Sequence, residues 1–259
     1  MAIPVHKDSK AMRVVITDDE APARNRIKDL LEDCAASMAL QVVGEAADGR
    51  ELIERLQNTP ADVVLLDIRM PEMDGIEAAQ HIQKLSDPPS VIFTTAYDVY
   101  ALKAFELHAV DYLVKPIRLR RLHEALARVR AITPLPLDVL QQLAPEPRRH
   151  LSVQGRGRVF LVPVEKILYM RAELKYVTIR TAEREHLLEE SLTRLEEEFR
   201  TRFVRIHRSC LVARDHIDRF ERVGDEGSDG GWVTVLRGLD ERLPVSRRQQ
   251  YVIKDFGRL

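Results

Sequence analysis

The sequence predicts two domains, an α/β domain built on a doubly wound, five-stranded parallel sheet and then a mainly-β domain. From Arg13 onward, short apolar runs alternate five times with longer segments whose apolar residues recur at helical spacing. From about residue 150 onward, short apolar runs follow one another and are separated by turn residues. Strands that alternate with helices indicate a parallel sheet covered on both faces, whereas successive short strands indicate antiparallel pairing.

Five strands are predicted in the first domain, at residues 13–17, 41–45, 62–67, 90–95 and 109–114. The helices between and after them have apolar faces, formed by Ile27, Leu30 and Leu31, by Leu52, Ile53 and Leu56, by Ile76, Ala79, Ile82 and Leu85, and by Leu119, Leu122, Leu126 and Val129. Right-handed crossovers in the usual strand order 2-1-3-4-5 give a flavodoxin-like domain, which we place at residues 12–131.

Four prolines follow this domain and predict a semi-rigid linker at residues 132–149. The second domain is expected to span residues 150–259. Its strands are predicted at residues 151–153, 159–162, 167–170, 176–180, 204–212 and 232–236, with hairpin loops at 155–157 and 224–231. One helix is predicted at residues 191–199, with Ser191 as its N-cap, and a second one at residues 247–256 is considered.

Charge is divided unevenly along a chain that is nearly neutral as a whole, with 40 basic and 41 acidic side chains. Residues 12–131 contain 15 basic and 20 acidic side chains, a net charge of −5, whereas residues 148–259 contain 23 and 18, a net charge of +5. An acidic half is suited to gathering cations, and a basic half to meeting a polyanion. The two cysteines are far apart and no segment has the length of a membrane span, so we expect a cytoplasmic protein that contacts no membrane.

Polar side chains follow several predicted strands of the first domain. Asp18 and Asp19 come directly after the first strand, Asp67 ends the third, Thr95 ends the fourth and Lys115 follows the fifth. Because the carboxyl ends of parallel strands meet at one edge of the sheet, we expect these side chains to lie close together. Crowded carboxylates repel one another unless a cation joins them, and Mg²⁺ suits a site with few protein ligands.

An isolated aspartate after a buried strand is most often a turn residue. Asp67, however, is expected to lie beside the acid pair Asp18 and Asp19, the hydroxyl of Thr95 and the ammonium of Lys115. This combination indicates a site that holds a phosphoryl group on Asp67. The carboxylate of Asp67 would attack phosphorus without a general base, while Mg²⁺ and Lys115 neutralise the other oxygens.

These residues resemble the receiver domain of two-component response regulators. The matching segments are Asp18-Asp19-Glu20, Leu66 to Pro71 with Asp74-Gly75, Thr94-Thr95-Ala96, and Tyr112 to Pro116. The resemblance implies that a histidine kinase supplies the phosphate and that the backbone carbonyl of Arg69 completes the Mg²⁺ shell. It also implies that Thr95 and Tyr112 form a switch, which alters the face made by the last strand and the last two helices of that fold. The alternative for Tyr112 is a plain core aromatic residue.

The second domain has neither a Walker loop nor a His-Glu-x-x-His helix nor a Cys-x-x-Cys pair. It is rich in arginine, whose planar guanidinium suits phosphates and guanine edges. The arginines that stand out are Arg202, Arg205, Arg208, Arg214, Arg247 and Arg248. Composition alone leaves a solvated β surface equally open.

The order of segments in this domain resembles the LytTR DNA-binding domain. The matching segments are Leu168-Tyr169, Lys175 to Ile179, Ser191 to Glu196, Phe203 to Ser209 with Leu211-Val212, and Pro244 to Arg248. The resemblance implies that loops at strand ends enter successive major grooves of double-stranded DNA. The residues that it indicates as candidate DNA contacts are Lys175, Arg208, Arg214, Arg247 and Arg248. Ala213 stands where many relatives carry Asn, so one base contact is expected to be lost. His207 is either a contact or a structural residue.

The chain as a whole thus resembles regulators of the LytR/AlgR family. We expect a phosphorylation-switched transcription factor, not an enzyme, which dimerises through its receiver domain and binds paired DNA sites. One alternative is a Mg²⁺-dependent phosphatase that forms an aspartyl phosphate on Asp67, although Arg69 stands where such enzymes usually have a second acid. Another is a regulator that acts through protein contacts independently of phosphorylation.

Overall fold

A computed structural model describes residues 11–96, 111–129, 146–155, 157–223 and 231–256. The chain forms two compact units, Met1–Glu146 and Pro147–Leu259, and each is described by itself. The boundary between them falls inside the predicted linker, most of which lies outside the described residues. No helix in the described part of the chain combines the length and the apolar content needed to span a membrane.

The first unit contains a five-stranded sheet whose order, β2-β1-β3-β4-β5, is the predicted one. All neighbouring strands in it are parallel. Its strands are β1 (Met12–Thr17), β2 (Leu40–Ala46), β3 (Val63–Asp67), β4 (Ser90–Thr95) and β5 (Tyr112–Val114). The helices among its described residues are α1 (Ala21–Ala35), α2 (Gly49–Asn58), α3 (Gly75–Ile82) and α4 (Leu119–Val129). The first two residues of the predicted fifth strand lie outside the described residues.

Helices on the sheet bury its central strands, and β3 is buried along its whole length. Two helices begin at an aspartate that caps the first turn, since Asp48 accepts a hydrogen bond from the N–H of Glu51 and Asp74 from the N–H of Glu77. The predicted apolar helix faces are buried with three exceptions. Leu119 is 41% exposed because it is the first residue of α4, and Val129, its last residue, is half-buried. Leu85 is also half-buried and lies beyond the end of α3.

The second unit is mainly β. Its strands are β6 (His150–Gly155), β7 (Arg158–Pro163), β8 (Ile167–Glu173), β9 (Tyr176–Thr181), β10 (Glu185–Leu188), β11 (Phe203–His207), β12 (Cys210–Ala213), β13 (Ile217–Val223), β14 (Gly231–Leu236) and β15 (Arg242–Val245), and its helices are α5 (Leu192–Glu198) and α6 (Tyr251–Phe256). They form a five-stranded sheet in the order β10-β9-β8-β12-β11, a three-stranded sheet β13-β14-β15 and a β6-β7 hairpin.

The predicted strand at residues 204–212 is wrong, because this segment is an antiparallel hairpin of β11 and β12. Both of its strands lie between two cores, so apolar residues occupy both faces and hide the break between the strands. Phe203 packs into a core with α5 and the β6-β7 hairpin, whereas Val204 packs into a second core with the three-stranded sheet and α6.

Three strands escaped prediction, β10, β13 and β15. All three are edge strands with charged residues, and β15 also contains Pro244, which weakens the strand signal. The helix considered at residues 247–256 begins only at Tyr251, after one 3₁₀ turn at Arg247–Gln249. Ser191 is the N-cap of α5 as predicted, but its side chain makes no capping hydrogen bond.

Candidate functional site

Three carboxylates lie together at the carboxyl ends of β1 and β3. Asp18 directly follows β1 and is fully buried, whereas its neighbour Asp19 is exposed. Asp67 is the last residue of β3 and is 5% exposed. One oxygen of each side chain lies within 4.8 Å of the other two. The parallel order of β1 and β3 therefore brings these three predicted residues together.

Lys115 places a positive charge between two of these carboxylates. Its Nζ lies 2.7 Å from Oδ2 of Asp18 and 2.9 Å from Oδ1 of Asp67. Burial by itself lowers the pKa of Lys115, but the two carboxylates outweigh burial and the pKa is raised. The peptide bond between Lys115 and Pro116 is cis.

The electrostatics around Asp67 favour a further cation. Burial raises the pKa of its carboxyl group, Lys115 lowers it, and the nearby Asp18 raises it again, so that the net shift is upward. The N–H of Arg69 donates to Oδ2 of Asp67 at 3.2 Å. A site in which one ammonium faces three carboxylates has an excess of negative charge, and carboxylate oxygens are the ligands that Mg²⁺ prefers. The donor set therefore fits Mg²⁺.

Thr95 and Tyr112 lie beside this site on neighbouring strands. Thr95 ends β4, is 1% exposed, and its carbonyl oxygen accepts a hydrogen bond from the N–H of Lys115 at 2.7 Å. Tyr112 begins β5 opposite Phe93 and is 8% exposed. The side chain of Tyr112 is thus buried in this structure. Both a switch residue turned inward and a core aromatic residue would be buried, so burial alone does not distinguish these two roles.

Side chains of α1 hold the region around Asp18, and the sequence reading missed them. The Arg24 guanidinium donates to the carbonyl oxygen of Asp18 at 2.7 Å and pairs with Glu45 at 3.3 Å. Lys28 also pairs with the carboxylate of Glu45, at 2.9 Å. Sequence spacing could have indicated these ion pairs, because Arg24 and Lys28 are four residues apart on one helix face and Glu45 lies near the end of β2.

The first residue of α3, Gly75, lies very close to the backbone of Asp67 and must be a glycine. Its N–H donates to the carbonyl oxygen of Ile68 at 2.9 Å, so the helix begins directly against the end of β3. A Cβ atom on Gly75 would lie 2.1 Å from the carbonyl oxygen of Asp67, which is far inside van der Waals contact. Only glycine allows this approach.

We expect Gly75→Ala to lower the free energy of unfolding by about 1–3 kcal/mol, because the backbone of Asp67 must shift. Urea denaturation followed by circular dichroism measures this loss. Gly44→Ala is the matched control, since its Cβ would meet the side chain of Arg55, with Cδ nearest at 2.6 Å, and that flexible side chain can move aside. Equal losses in the two variants would contradict the close approach inferred for Gly75.

Four basic residues of the second unit lie at one end of its five-stranded sheet. Lys175 is in the β8-β9 turn, Arg208 is in the β11-β12 turn, and Arg247 and Arg248 are in the 3₁₀ turn after β15. All four are exposed. Backbone hydrogen bonds join these turns, from Ala172 to Ser209 at 2.8 Å and from Ser246 to Ile206 at 2.9 Å. We call Lys175, Arg208, Arg247 and Arg248 the basic end.

Arg214 does not belong to the basic end. It follows β12, and its N–H donates to the carbonyl oxygen of Arg202, just before β11. Because β11 and β12 are antiparallel, this point lies at the opposite end of the hairpin from Arg208. Ala213 is fully buried in the core that contains Phe203. The expected loss of a base contact at position 213 is therefore wrong, since a side chain there faces the core.

Two other arginines are engaged within the unit. Arg202 donates to the carbonyl oxygen of Glu165 at 2.6 Å and pairs with Asp215 at 3.2 Å. Arg205 pairs with Glu196 at 2.7 Å. Sequence reading could not separate them from the exposed arginines, because their acidic partners are not apparent from local spacing.

His207 also takes part in the structure of the β11-β12 turn. Its Nδ1 accepts a hydrogen bond from the N–H of Ser209 at 3.3 Å and lies 2.8 Å from the hydroxyl oxygen of the same serine. These contacts support the structural alternative for this histidine.

Comparison with known proteins matches each half of the chain to a described family. Residues 14–127 match the response regulator receiver domain, and residues 157–257 match the LytTr DNA-binding domain. The positive alginate biosynthesis regulatory protein of Pseudomonas aeruginosa is 41% identical over 242 residues, which are 92% of this chain and 95% of that protein. The sensory transduction protein LytR of Staphylococcus haemolyticus is 32% identical over 225 residues, which are 81% of this chain and 87% of that protein. Among solved structures, the response regulatory domain of protein mrkE from Klebsiella pneumoniae is 30% identical, covers 51% of this chain and 99% of that one, and has a TM-score of 0.41.

Proposed function

Because this chain belongs to the LytR/AlgR family of response regulators, with a receiver domain followed by a LytTR DNA-binding domain, we propose that phosphorylation of Asp67 controls its binding to DNA. The observation that carries this proposal is the buried Asp67 carboxylate, held beside Asp18, Asp19 and Lys115 at one sheet edge. We propose residues 12–131 as the receiver domain, 132–149 as the linker and 150–259 as the DNA-binding domain.

Phosphoryl transfer from a histidine kinase would break the P–N bond of the phosphohistidine and form a P–O bond to Asp67. Asp18, Asp19, Asp67 and the backbone carbonyl of Arg69 would hold Mg²⁺, which supplies positive charge to the phosphoryl oxygens. Lys115, already in contact with Asp67, adds a second positive charge. Thr95, at the end of the neighbouring strand, would bind the phosphoryl group, and Tyr112 would respond to it.

The phosphatase alternative has less support. Arg69, two residues after Asp67, is exposed and offers no carboxyl group for acid catalysis. The two relatives named above are described as a regulatory and a sensory transduction protein. We therefore propose that the chain turns over no substrate of its own. Dimerisation through the receiver domain is part of this proposal, since it would present two DNA-binding domains to paired sites.

The basic end is the proposed DNA interface. Lys175, Arg208, Arg247 and Arg248 are exposed on turns that backbone hydrogen bonds hold together, which suits insertion into a major groove. Regulation by protein contacts alone would leave this gathering of exposed cations without a role. Arg214 lies at the opposite end of the β11-β12 hairpin and is left out of the proposed interface.

Selection of bound genomic fragments, with and without a small phosphodonor and Mg²⁺, tests both halves of the proposal. We expect specific fragments to be recovered, with tighter or more cooperative binding when the phosphodonor is present. Recovery of no specific fragment under either condition would contradict the DNA-binding proposal, and identical binding under both would contradict control by Asp67.

Salt dependence of the selected fragment tests the assignment of the basic end. The logarithm of the affinity is expected to fall linearly with the logarithm of salt concentration, by about 0.9 per phosphate contact. We expect Arg208→Ala to reduce that slope, and Arg214→Ala, at the other end of the same hairpin, to leave it unchanged. A slope that depends on Arg214 and not on the basic end would reject this interface.

A further inference from the structure

Arg205 lies in β11, three residues before Arg208, and is 15% exposed in its side chain. Its Nε donates to Oε2 of Glu196 at 2.7 Å, and one terminal nitrogen lies 2.7 Å from the same oxygen. The other terminal nitrogen donates to the backbone carbonyl oxygen of Arg208 at 2.7 Å. Each of the three guanidinium nitrogens therefore has a partner inside the domain, and Arg205 is not placed to bind a phosphate.

The contact with Arg208 comes where backbone pairing is irregular. The register between β11 and β12 shifts between Arg205 and His207, so the regular ladder is interrupted just before the turn. Besides the backbone hydrogen bond from Ala172 to Ser209, side chains hold the turn, through the His207–Ser209 contact and through the bond from Arg205 to the carbonyl oxygen of Arg208. Charge-assisted hydrogen bonds from a guanidinium are well suited to fixing such a turn.

We propose that Arg205 is a positioning residue for DNA binding, which holds the β11-β12 turn so that Arg208 is presented to DNA. Glu196 of α5 fixes the guanidinium of Arg205 in turn. This inference rests on the proposed function of the basic end and adds a residue that acts only through another. Its physical basis is preorganisation, because a turn that is ordered before binding loses less conformational entropy when it meets DNA.

Removal of the Glu196 carboxylate is a sharp test, because an effect of overall charge and an effect of positioning predict opposite changes in DNA affinity. If only the overall charge mattered, removal of this carboxylate would strengthen attraction to a polyanion. If Glu196 positions Arg205, the same change would loosen the turn and weaken binding. Glu197 is the matched control, because it is the next residue of α5, carries the same charge and is exposed.

The experiment compares Glu196→Gln with Glu197→Gln in the full chain, with the fragment selected by the unchanged protein. Glu197→Gln is expected to bind equally or slightly more tightly. Glu196→Gln is expected to bind about threefold to tenfold more weakly, the loss that corresponds to ordering one or two side chains on binding, with an unchanged salt slope. Binding by Glu196→Gln as tight as that by Glu197→Gln would overturn the proposal.

A second comparison asks whether Arg205 acts through Arg208. Arg205→Lys keeps the charge but loses the fork, so it is expected to weaken DNA binding in the otherwise unchanged chain and to have little further effect beside Arg208→Ala. Equal effects in both backgrounds would contradict the inference. If the unchanged protein bound no DNA, the proposed function would fail first, whereas DNA binding that is insensitive to Glu196 would reject only the positioning role.

Discussion

Asp67→Asn is expected to abolish phosphoryl incorporation from a small phosphodonor in the presence of Mg²⁺. The amide has nearly the shape of the carboxylate but lacks the ionised oxygen that attacks phosphorus. Lys115 keeps its 2.7 Å contact with Asp18, so the site loses its nucleophile without losing all its internal pairing. Intact-mass spectrometry would show the mass of one phosphoryl group on the unchanged protein and none on the variant.

The fold is expected to tolerate this change. Burial raises the pKa of Asp67, which means that its ionised form opposes folding at neutral pH, and a neutral amide removes that penalty. Asp62→Asn is the matched control, because Asp62 lies just before β3, at the other end of the same strand, and pairs with Arg13 at 2.8 Å. Phosphorylation that survives in Asp67→Asn, or is lost in Asp62→Asn, would contradict the assignment of Asp67.

Most of the first domain could be predicted because its elements have unambiguous periods. Apolar runs such as the one before Asp67 are buried on both faces, and a helix such as α1 buries one apolar stripe. Strand order then places Asp18 beside Asp67, and their approach follows from parallel pairing. The exact contacts of Lys115 and the closeness of Gly75 to Asp67 could not be predicted, since periodicity specifies neither side-chain conformations nor the path of the segment that joins β3 to α3.

The second domain was less predictable because local patterns do not say which side chains will meet. β11 and β12 read as one strand, since both are apolar on both faces. Arg205 and Arg208 look alike in the sequence, yet one is held by Glu196 and the other is exposed. The arginine-rich composition indicated a nucleic-acid interface, but only the antiparallel hairpin shows that Arg214 lies away from the proposed one.

Arg148 is a residue of the predicted linker that in the structure belongs to the second domain. Its side chain is 4% exposed, and its guanidinium lies 2.8 Å from Glu190 and 2.7 Å from Glu198. Its backbone N–H also donates to Glu198, at 3.1 Å. Burial lowers the pKa of Arg148, but the two carboxylates outweigh it and hold the group firmly in its charged form. The chain entering the second domain is thus tied to Glu190, just before α5, and to Glu198, the last residue of α5.

Arg148→Met is expected to lower the free energy of unfolding of the second domain by about 3–5 kcal/mol, because it leaves buried carboxylates without their cation. Urea denaturation followed by the fluorescence of Trp232, the single tryptophan of the chain, reports on this domain. Arg149→Met, at the exposed neighbouring position, is the matched control and is expected to change stability by less than about 0.5 kcal/mol.

A triple variant separates the loss of pairing from the loss of packing. Arg148→Met combined with Glu190→Gln and Glu198→Gln removes the whole charged cluster, and such replacements are often neutral where breaking a pair is not. We expect the triple variant to recover most of the stability that Arg148→Met loses. If it were as unstable as the single variant, the methylene stem of Arg148 and not its charge would tie the linker to the second domain.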